Sequence, residues 1–344
     1  MSGAKIRVLI VDDSTFMRAV IARLLSRDGR FEVVGQARDG RQGVDDAVRL
    51  RPDVVTMDVN MPVMDGVEAV RQIMSRSPLP VVMLSAHTTE GALATMEALS
   101  AGAVDFIGKP SGEVSADLAL VERELTEKLM AASTARPMRS AAAPVRPPPR
   151  PIAPMVTWSP EGPRVVVIAA STGGPAALAR VIPALPGTLD SCVVVVQHMP
   201  PQFTTALAQR LDSISALSVR EAGTGDRLRQ GTVYVAPGGV HLVVDRAGTL
   251  RTVDSPAVNG CKPSADVTMR AVAESMGFRV TGIVMTGMGR DGAEGLQAIR
   301  AAGGRTIAQD EASCVVFGMP RAAVEIGAAE RVVALDAIAT AIQS

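Results

Sequence analysis

The chain has 344 residues, of which 47% are hydrophobic and 20% charged, a composition that supports two hydrophobic cores of ordinary domain size. Its formal net charge is zero, which excludes an overall basic field able to hold a nucleic-acid backbone or an anionic membrane surface. No apolar run approaches the roughly 20 residues of a membrane-spanning helix, so we expect a soluble protein without membrane insertion. The three cysteines form no Cys-x-x-Cys pair, so we expect neither a disulfide framework nor a zinc site, as in a cytoplasmic protein.

The first part of the chain alternates apolar runs with helical patterns. The apolar runs lie at 6–11, 31–35, 54–57, 81–84 and 104–107. Strands that are apolar on both faces belong in a parallel sheet covered by helices. The pattern therefore predicts five βα units in a doubly wound α/β domain, which we place at residues 5–127.

Polar residues follow four of these runs, at the carboxyl ends of the strands, where a doubly wound sheet binds ligands. They are Asp12, Asp13, Asp58, Ser85 and Lys109. Each aspartate taken alone is more often a helix cap or a turn residue. Carboxylates that converge at one edge repel unless a cation offsets their charge, and all-oxygen ligation suits magnesium. A lysine and a hydroxyl beside them suit a transferred phosphoryl group.

These residues, together with the sequence Met-Pro-Val-Met-Asp-Gly at 61–66, resemble the receiver domain of two-component response regulators. The resemblance implies a flavodoxin-like (βα)5 fold in which Asp58 accepts a phosphoryl group from a histidine kinase. It also implies a magnesium ion held by Asp12, Asp13 and Asp58. Ser85 and Lys109 are then the residues that contact the phosphate.

Ala, Pro and Arg dominate the next segment, where the apolar periodicity of helices and strands disappears. Its prolines, among them the run at 147–149, favour extended polyproline geometry. We interpret residues 128–162 as a semi-rigid linker.

The alternation of strands and helices returns after the linker. Apolar runs lie at 165–169, 193–196, 233–236, 279–285 and 306–308. The pattern at 241–253 predicts a hairpin that turns at Ala247 and Gly248. The pattern predicts a second doubly wound α/β domain at 163–344, with a mostly parallel sheet and an antiparallel hairpin.

The first strand of this part leads into the sequence Ala-Ser-Thr-Gly-Gly-Pro at 170–175. A proline after glycine is typical of a helix start, so Ser171 is predicted at a strand-to-helix turn, close to free backbone N–H groups. An isolated Ser-x-Gly-Gly is more often a helix cap and a tight turn.

A histidine and an aspartate follow two other strands of the same predicted sheet. His198 lies directly beyond the next strand, and Asp291, within the glycine-rich loop at 287–292, is expected to open the following helix. A hydroxyl, a base to deprotonate it and a carboxylate to orient the base are the parts of a nucleophilic triad. The order Ser, His, Asp and the absence of a Gly-x-Ser-x-Gly elbow argue against the α/β-hydrolase family.

Four segments resemble motifs of the chemotaxis protein-glutamate methylesterases, which join a receiver domain to a hydrolase domain. They lie at 170–175, 197–200, 285–293 and 310–320. The resemblance implies that Ser171 is the nucleophile, His198 the general base and then acid, and Asp291 the orienting carboxylate. It places the oxyanion donors at backbone N–H groups near Met288 and near Ser171 or Thr172.

The implied reaction is phosphorylation-regulated hydrolysis of glutamate γ-methyl esters on the cytoplasmic helices of methyl-accepting chemoreceptors, with glutamine deamidation as a related activity. The implied phosphodonor is a chemotaxis histidine kinase. The hydrolase part needs no cofactor, whereas phosphorylation of the receiver needs Mg²⁺.

Three alternatives stay open at this point. The second part could be a non-catalytic module that binds a partner when Asp58 is phosphorylated. His241 could replace His198 as the base. Cys314 could be the nucleophile, although its apolar neighbours favour a buried small hydrophobe.

Overall fold

The computed structural model describes residues 4–86, 88–109, 115–135 and 164–343. The chain divides into two compact units, Met1–Ala143 and Pro144–Ser344. Within the described ranges, no helix combines the length and the apolar character that crossing a membrane requires.

The described part of the first unit contains five parallel strands and five helices. The strands are Ile6–Val11 (β1), Phe31–Ala37 (β2), Val54–Asp58 (β3), Val81–Ser85 (β4) and Asp105–Gly108 (β5), and the helices are Thr15–Arg27 (α1), Gly40–Leu50 (α2), Gly66–Arg76 (α3), Thr89–Ala101 (α4) and Ser115–Ser133 (α5). The strand order β2-β1-β3-β4-β5 is that of a flavodoxin-like sheet, so the predicted doubly wound fold is confirmed.

The loop after β3 is held against the end of that strand. Asp65 caps α3 by accepting a hydrogen bond from the Glu68 N–H at 2.8 Å, and Gly66 N donates to Val59 O at 2.9 Å. A Cβ atom at Gly66 would lie 2.0 Å from Asp58 O. Only glycine permits this approach, which keeps the loop directly beside Asp58.

Helix α5 continues to Ser133, six residues beyond the predicted domain end at 127. Its apolar residues Leu125, Leu129 and Ala132 recur at spacings of four and three and are buried. Residues 128–133 are therefore helical and do not belong to the linker predicted at 128–162. Residues 136–162 of the predicted linker lie outside the described ranges.

Nine strands and six α-helices are described in the second unit. The strands are Arg164–Ala170 (β6), Ser191–Gln197 (β7), Ser218–Glu221 (β8), Thr232–Val235 (β9), His241–Val244 (β10), Leu250–Val253 (β11), Val280–Val284 (β12), Arg305–Gln309 (β13) and Arg331–Val333 (β14). The helices are Gly174–Val181 (α6), Phe203–Ile214 (α7), Ala265–Met276 (α8), Ala293–Ala301 (α9), Met319–Glu325 (α10) and Ile338–Gln343 (α11).

Seven of these strands form one parallel sheet in the order β14-β13-β12-β6-β7-β9-β8. The predicted hairpin is present as β10 and β11, and it forms a separate two-stranded sheet. The edge strands β8 and β14, which the sequence pattern does not predict, are only four and three residues long.

The central strand β6 determines which loops meet. Ala169 pairs with Val196 of β7 on one side and with Val284 of β12 on the other. All three residues are fully buried. The loops after β6, β7 and β12 therefore emerge side by side at the carboxyl edge of the sheet.

Candidate functional site

Three carboxylates meet at the carboxyl edge of the first unit. Asp12 and Asp13 follow β1, Asp58 ends the neighbouring β3, and one carboxylate oxygen from each lies within 4.8 Å of the others. Asp12 is fully buried and Asp58 is 5% exposed. An all-oxygen cluster of this kind fits the ligand preference of Mg²⁺.

Lys109 lies between the two buried carboxylates. Its Nζ is 2.8 Å from Asp58 Oδ1 and 3.0 Å from Asp12 Oδ2, but Asp12 Oδ2 accepts no well-directed hydrogen bond from any described residue. Burial raises the pKa of Asp58 against the opposing effect of Lys109. One ammonium thus leaves these carboxylates undercompensated and Asp12 Oδ2 with an unused lone pair, as a cation site requires.

Ser85 is turned towards helix α4. Its hydroxyl donates to Gly91 O at 3.1 Å and accepts from Thr95 Oγ1 at 2.8 Å, and its side chain is fully buried. The predicted contact of Ser85 with a phosphate on Asp58 would therefore need rotation of this hydroxyl away from Gly91.

The predicted residues of the second unit lie on three neighbouring strand ends. Ser171 follows β6, His198 follows β7, and Asp291 lies between β12 and α9. Main-chain hydrogen bonds join these loops, since Ser171 N donates to Thr286 O at 3.0 Å and His198 N donates to Ala170 O at 3.1 Å. The structure thus brings all three to one edge of one sheet.

His198 and Asp291 form a direct pair. His198 Nε2 is 2.8 Å from Asp291 Oδ2. Burial would raise the pKa of Asp291, but hydrogen bonds from His198, Ser264 Oγ and Ala265 N lower it to about 2. A carboxylate held ionised in this way fixes the proton of the imidazole on Nε2, which leaves Nδ1 as the nitrogen available for proton transfer.

The same pair changes the basicity of the imidazole. Burial works against the imidazolium form, but the hydrogen bond to Asp291 and the neighbouring Cys261 sulfur favour it, and together they raise the pKa of His198 to about 10. His198 is therefore a stronger base than a free histidine.

Cys261 is the residue at this site that the sequence analysis missed. Its Sγ lies 3.5 Å from His198 Nδ1. It ends a tight turn in which Asn259 and Gly260 both have positive φ and Val258 and Cys261 exchange two backbone hydrogen bonds. An Asn-Gly pair is the usual signal for such a turn. No spacing rule, however, connects Cys261 with His198.

The surroundings of Ser171 suit an exposed nucleophile. Its carbonyl accepts from Gln197 Nε2 at 3.0 Å, whereas its Oγ makes no hydrogen bond within the described part of the chain. A Cβ atom at Gly287 would lie 2.7 Å from Ser171 Cβ. The next residue in that loop, Met288, has an N–H that none of the hydrogen bonds among described residues uses. Thr172 is buried, and its carbonyl accepts a hydrogen bond from Thr286 Oγ1 at 3.0 Å.

The geometry does not favour His241 as the base. His241 is fully buried, its Nε2 lies 3.1 Å from Pro256 O, and its Nδ1 accepts from Ser264 N at 3.1 Å. Both nitrogens are engaged by the backbone. This histidine therefore holds the segment that contains Ser264, one of the donors to Asp291.

Cys314 does not suit the role of nucleophile. Burial raises the pKa of its thiol to about 12. A thiol that stays protonated at neutral pH is a weak nucleophile, because the reactive form is the thiolate.

Two protein families match the sequence. The family described as CheB methylesterase matches residues 166–342, and the response regulator receiver domain matches residues 8–119. Proteins named protein-glutamate methylesterase/protein-glutamine glutaminase are similar along nearly the whole chain. The one from Symbiobacterium thermophilum is 50% identical over 98% of this chain and 96% of its own length, and the one from Geobacillus kaustophilus is 47% identical over 98% and 97%.

A solved structure supports the same relationship. The second unit is similar to the CheB methylesterase catalytic domain of Thermotoga maritima, with a TM-score of 0.51 and 41% identity over 53% of this chain and 97% of that domain. The two resemblances indicated by the sequence motifs and the predicted α/β fold class are therefore confirmed.

Proposed function

The chain belongs to the CheB methylesterase family, with a receiver domain preceding the methylesterase domain, and we propose a reaction on that basis. The proposed reaction is hydrolysis of glutamate γ-methyl esters on cytoplasmic helices of methyl-accepting chemoreceptors. The chain is an enzyme of the protein-glutamate methylesterase/protein-glutamine glutaminase class, in chemotaxis and two-component signalling. The observation that carries the proposal is the 2.8 Å pair of His198 and Asp291 at the sheet edge that carries Ser171.

The proposed first half-reaction forms an acyl-enzyme. Ser171 Oγ attacks the ester carbonyl carbon while His198 Nδ1 takes the hydroxyl proton. The negative charge that develops on the carbonyl oxygen is stabilised by the N–H groups of Thr172 and Met288. His198 then returns the proton to the methoxy oxygen, the carbon–oxygen bond breaks, and methanol leaves.

The second half-reaction restores the free enzyme. A water molecule attacks the acyl carbon and gives a proton to His198 Nδ1, which passes it to Ser171 Oγ as the acyl bond breaks. Asp291 keeps the ring oriented and stabilises the imidazolium in both halves. The product is a glutamate side chain.

The same site can deamidate glutamine. An amide carbonyl would occupy the ester's position, and His198 would protonate the departing nitrogen so that ammonia leaves in place of methanol. The acyl-enzyme is identical in the two reactions, so its hydrolysis yields glutamate from both substrates.

Regulation is proposed to act through Asp58. In this proposal a chemotaxis histidine kinase transfers a phosphoryl group to Asp58, and Asp12, Asp13 and Asp58 hold Mg²⁺, which offsets the charge of that group when bound. Lys109, already 2.8 Å from Asp58, would pair with a phosphate oxygen. We also propose a cytoplasmic location, because the proposed substrate helices are cytoplasmic.

Methanol release from methylated receptor membranes tests the proposal, with and without a small-molecule phosphodonor. We expect release by the wild-type chain, an increase with phosphodonor, and loss of release in Ser171→Ala. Ser213→Ala is a matched control, because Ser213 is an exposed helix residue whose hydroxyl donates to Arg210 O within its own helix. Phosphodonor-dependent receptor binding without methanol release would favour the non-catalytic module instead.

A further inference from the structure

A thiol and an imidazole nitrogen face each other at the proposed catalytic edge. Cys261 Sγ and His198 Nδ1 are 3.5 Å apart, although the residues are 63 positions apart in sequence. Together with one oxygen of Asp291, they form a group of potential metal ligands that lie within 4.8 Å of one another. Sulfur and imidazole nitrogen are the ligands that zinc prefers.

The separation of the two ligand atoms matches the requirement of a tetrahedral zinc ion. With a Zn–N bond of about 2.0 to 2.1 Å, a Zn–S bond of about 2.3 Å and a tetrahedral angle, nitrogen and sulfur lie roughly 3.5 to 3.6 Å apart. The observed 3.5 Å therefore needs no movement of the backbone to admit the ion.

Asp291 serves this site as an outer partner. Both of its oxygens are already occupied by hydrogen bonds, which come from Asn259 Nδ2, Ser264 Oγ, Ala265 N, Asp266 N and His198 Nε2. Its bond to Nε2 directs the lone pair of His198 to Nδ1. A carboxylate bonded to the far nitrogen of a metal-binding histidine is the usual support of zinc sites.

The turn that carries Cys261 is fixed through Asn259, the first of its two central residues. Asn259 donates from Nδ2 to Asp266 Oδ2 at 2.8 Å and to Asp291 Oδ1 at 3.1 Å. The turn is therefore tied to the carboxylate that also orients His198. Cys261 itself is partly exposed, whereas Cys192 and Cys314 are buried. An ion from solvent can reach this thiol.

We propose that Cys261 Sγ and His198 Nδ1 form an inhibitory site for a thiophilic divalent cation, with Zn²⁺ as the ion that fits best. On binding, the Cys261 thiol and the His198 imidazolium each release a proton to solvent, the sulfur bonds the metal, and the Nδ1 lone pair freed in this way forms the second bond. Water completes the coordination. His198 can then no longer take the proton of Ser171. The inhibitory consequence rests on the proposed function, whereas the binding does not.

Cobalt binding to the full-length chain tests the site directly. Co²⁺ replaces zinc and gives a thiolate-to-cobalt charge-transfer absorption, and excess Mg²⁺ keeps the receiver carboxylates occupied. We expect one equivalent of Co²⁺ to produce the band, Zn²⁺ to abolish it, and Cys261→Ala to lack it. His198→Ala should weaken Co²⁺ binding at least tenfold. Cys314→Ala, which removes a buried thiol, should keep the band.

Methanol release provides the second readout. Zn²⁺ should inhibit the wild-type chain reversibly, with full recovery after chelation, and the inhibitory concentration should rise at least tenfold in Cys261→Ala. Absence of the band in the wild-type chain, or the same band in Cys261→Ala, would overturn the site. The wild-type chain could show the cobalt band and yet release no methanol after all metal is removed. That result would support the metal site and contradict the proposed function.

Discussion

Asp291 Oδ2 and His198 Nε2 lie 2.8 Å apart, and both belong to loops that leave strands flanking β6. The pair joins the ends of β12 and β7 across the strand that carries Ser171. Because the carboxylate accepts at Nε2, the opposite nitrogen of the ring is free to exchange a proton. The chemistry of the edge therefore depends on the tautomer that Asp291 selects.

Replacing Asp291 by Asn should remove most of the activity while the fold is retained. An amide that donates to Nε2 moves the imidazole proton to Nδ1, where it blocks proton transfer from Ser171. The expected loss of kcat is up to about 10⁴-fold, by analogy with the same change in serine proteases. Methanol-release kinetics measure the loss. Asp336→Asn is the control, since Asp336 is a surface partner of Arg180. Equal activity of the two variants would contradict the role of Asp291.

The rate should rise with pH through neutrality. His198 must be neutral to act as a base, and its raised pKa keeps it protonated at pH 7. We therefore expect kcat/KM in the presence of a chelator to increase from pH 6 towards about pH 9, after subtraction of spontaneous ester hydrolysis. Cys261→Ala should shift the rise to lower pH, because Cys261 contributes to the high pKa of His198. A flat profile would exclude His198 as the titrating base.

The same pair predicts how stability varies with pH. The folded pKa of His198 is raised to about 10 from a reference near 6.5, so its stabilisation is complete below about pH 6.5 and is lost as pH rises through 10. The pKa of Asp291 is lowered to about 2, so its stabilisation is present above about pH 4 and is lost towards pH 2. Asp291→Asn should therefore destabilise the second unit more at pH 6 than at pH 10.5 in urea titrations. A pH-independent difference would contradict the coupling.

The sequence predicted the features that local pattern encodes. Continuous apolar runs located β6, β7 and β12, and the polar residues at their ends identified Ser171, His198 and Asp291. Edge strand β14 carries only three residues and is not predicted, although the apolar run 332–335 overlaps it. Helix α5 continues through 128–133, where the sequence pattern predicts the start of the linker. Cys261 could not be found, because the turn that brings it to His198 depends on contacts with Asp266 and Asp291.

Gly287→Ala should lower kcat by more than its loss of folding stability alone would explain. The added Cβ would meet Met319 Sδ at 2.4 Å and Ser171 Cβ at 2.7 Å, so the loop that carries Met288 must move. Overpacking of this kind costs about 1 to 3 kcal/mol. Displacement of an oxyanion donor would cost kcat about 10²-fold or more. Gly187→Ala is the control, because the nearest atom to its Cβ is 3.5 Å away. Unchanged kcat in Gly287→Ala would contradict this prediction.

Lys109→Met should make the first unit depend on magnesium. The substitution removes the ammonium between Asp12 and Asp58 and leaves two buried carboxylates without a partner, a change that typically costs about 3 to 5 kcal/mol. The partial exposure of Lys109 puts the expected loss at the lower end of that range.

Mg²⁺ should restore part of this loss. It should stabilise Lys109→Met more than it stabilises the wild-type chain, because in the variant the ion supplies the positive charge that Lys109 otherwise provides among the three aspartates. Thermal unfolding with and without Mg²⁺ measures the difference, with Lys5→Met at an exposed position as the control. If Mg²⁺ raises the unfolding temperature of Lys109→Met and of Lys5→Met by the same amount, the aspartates do not form the cation site. An ion bound among them would compensate the loss of Lys109 but not the loss of Lys5.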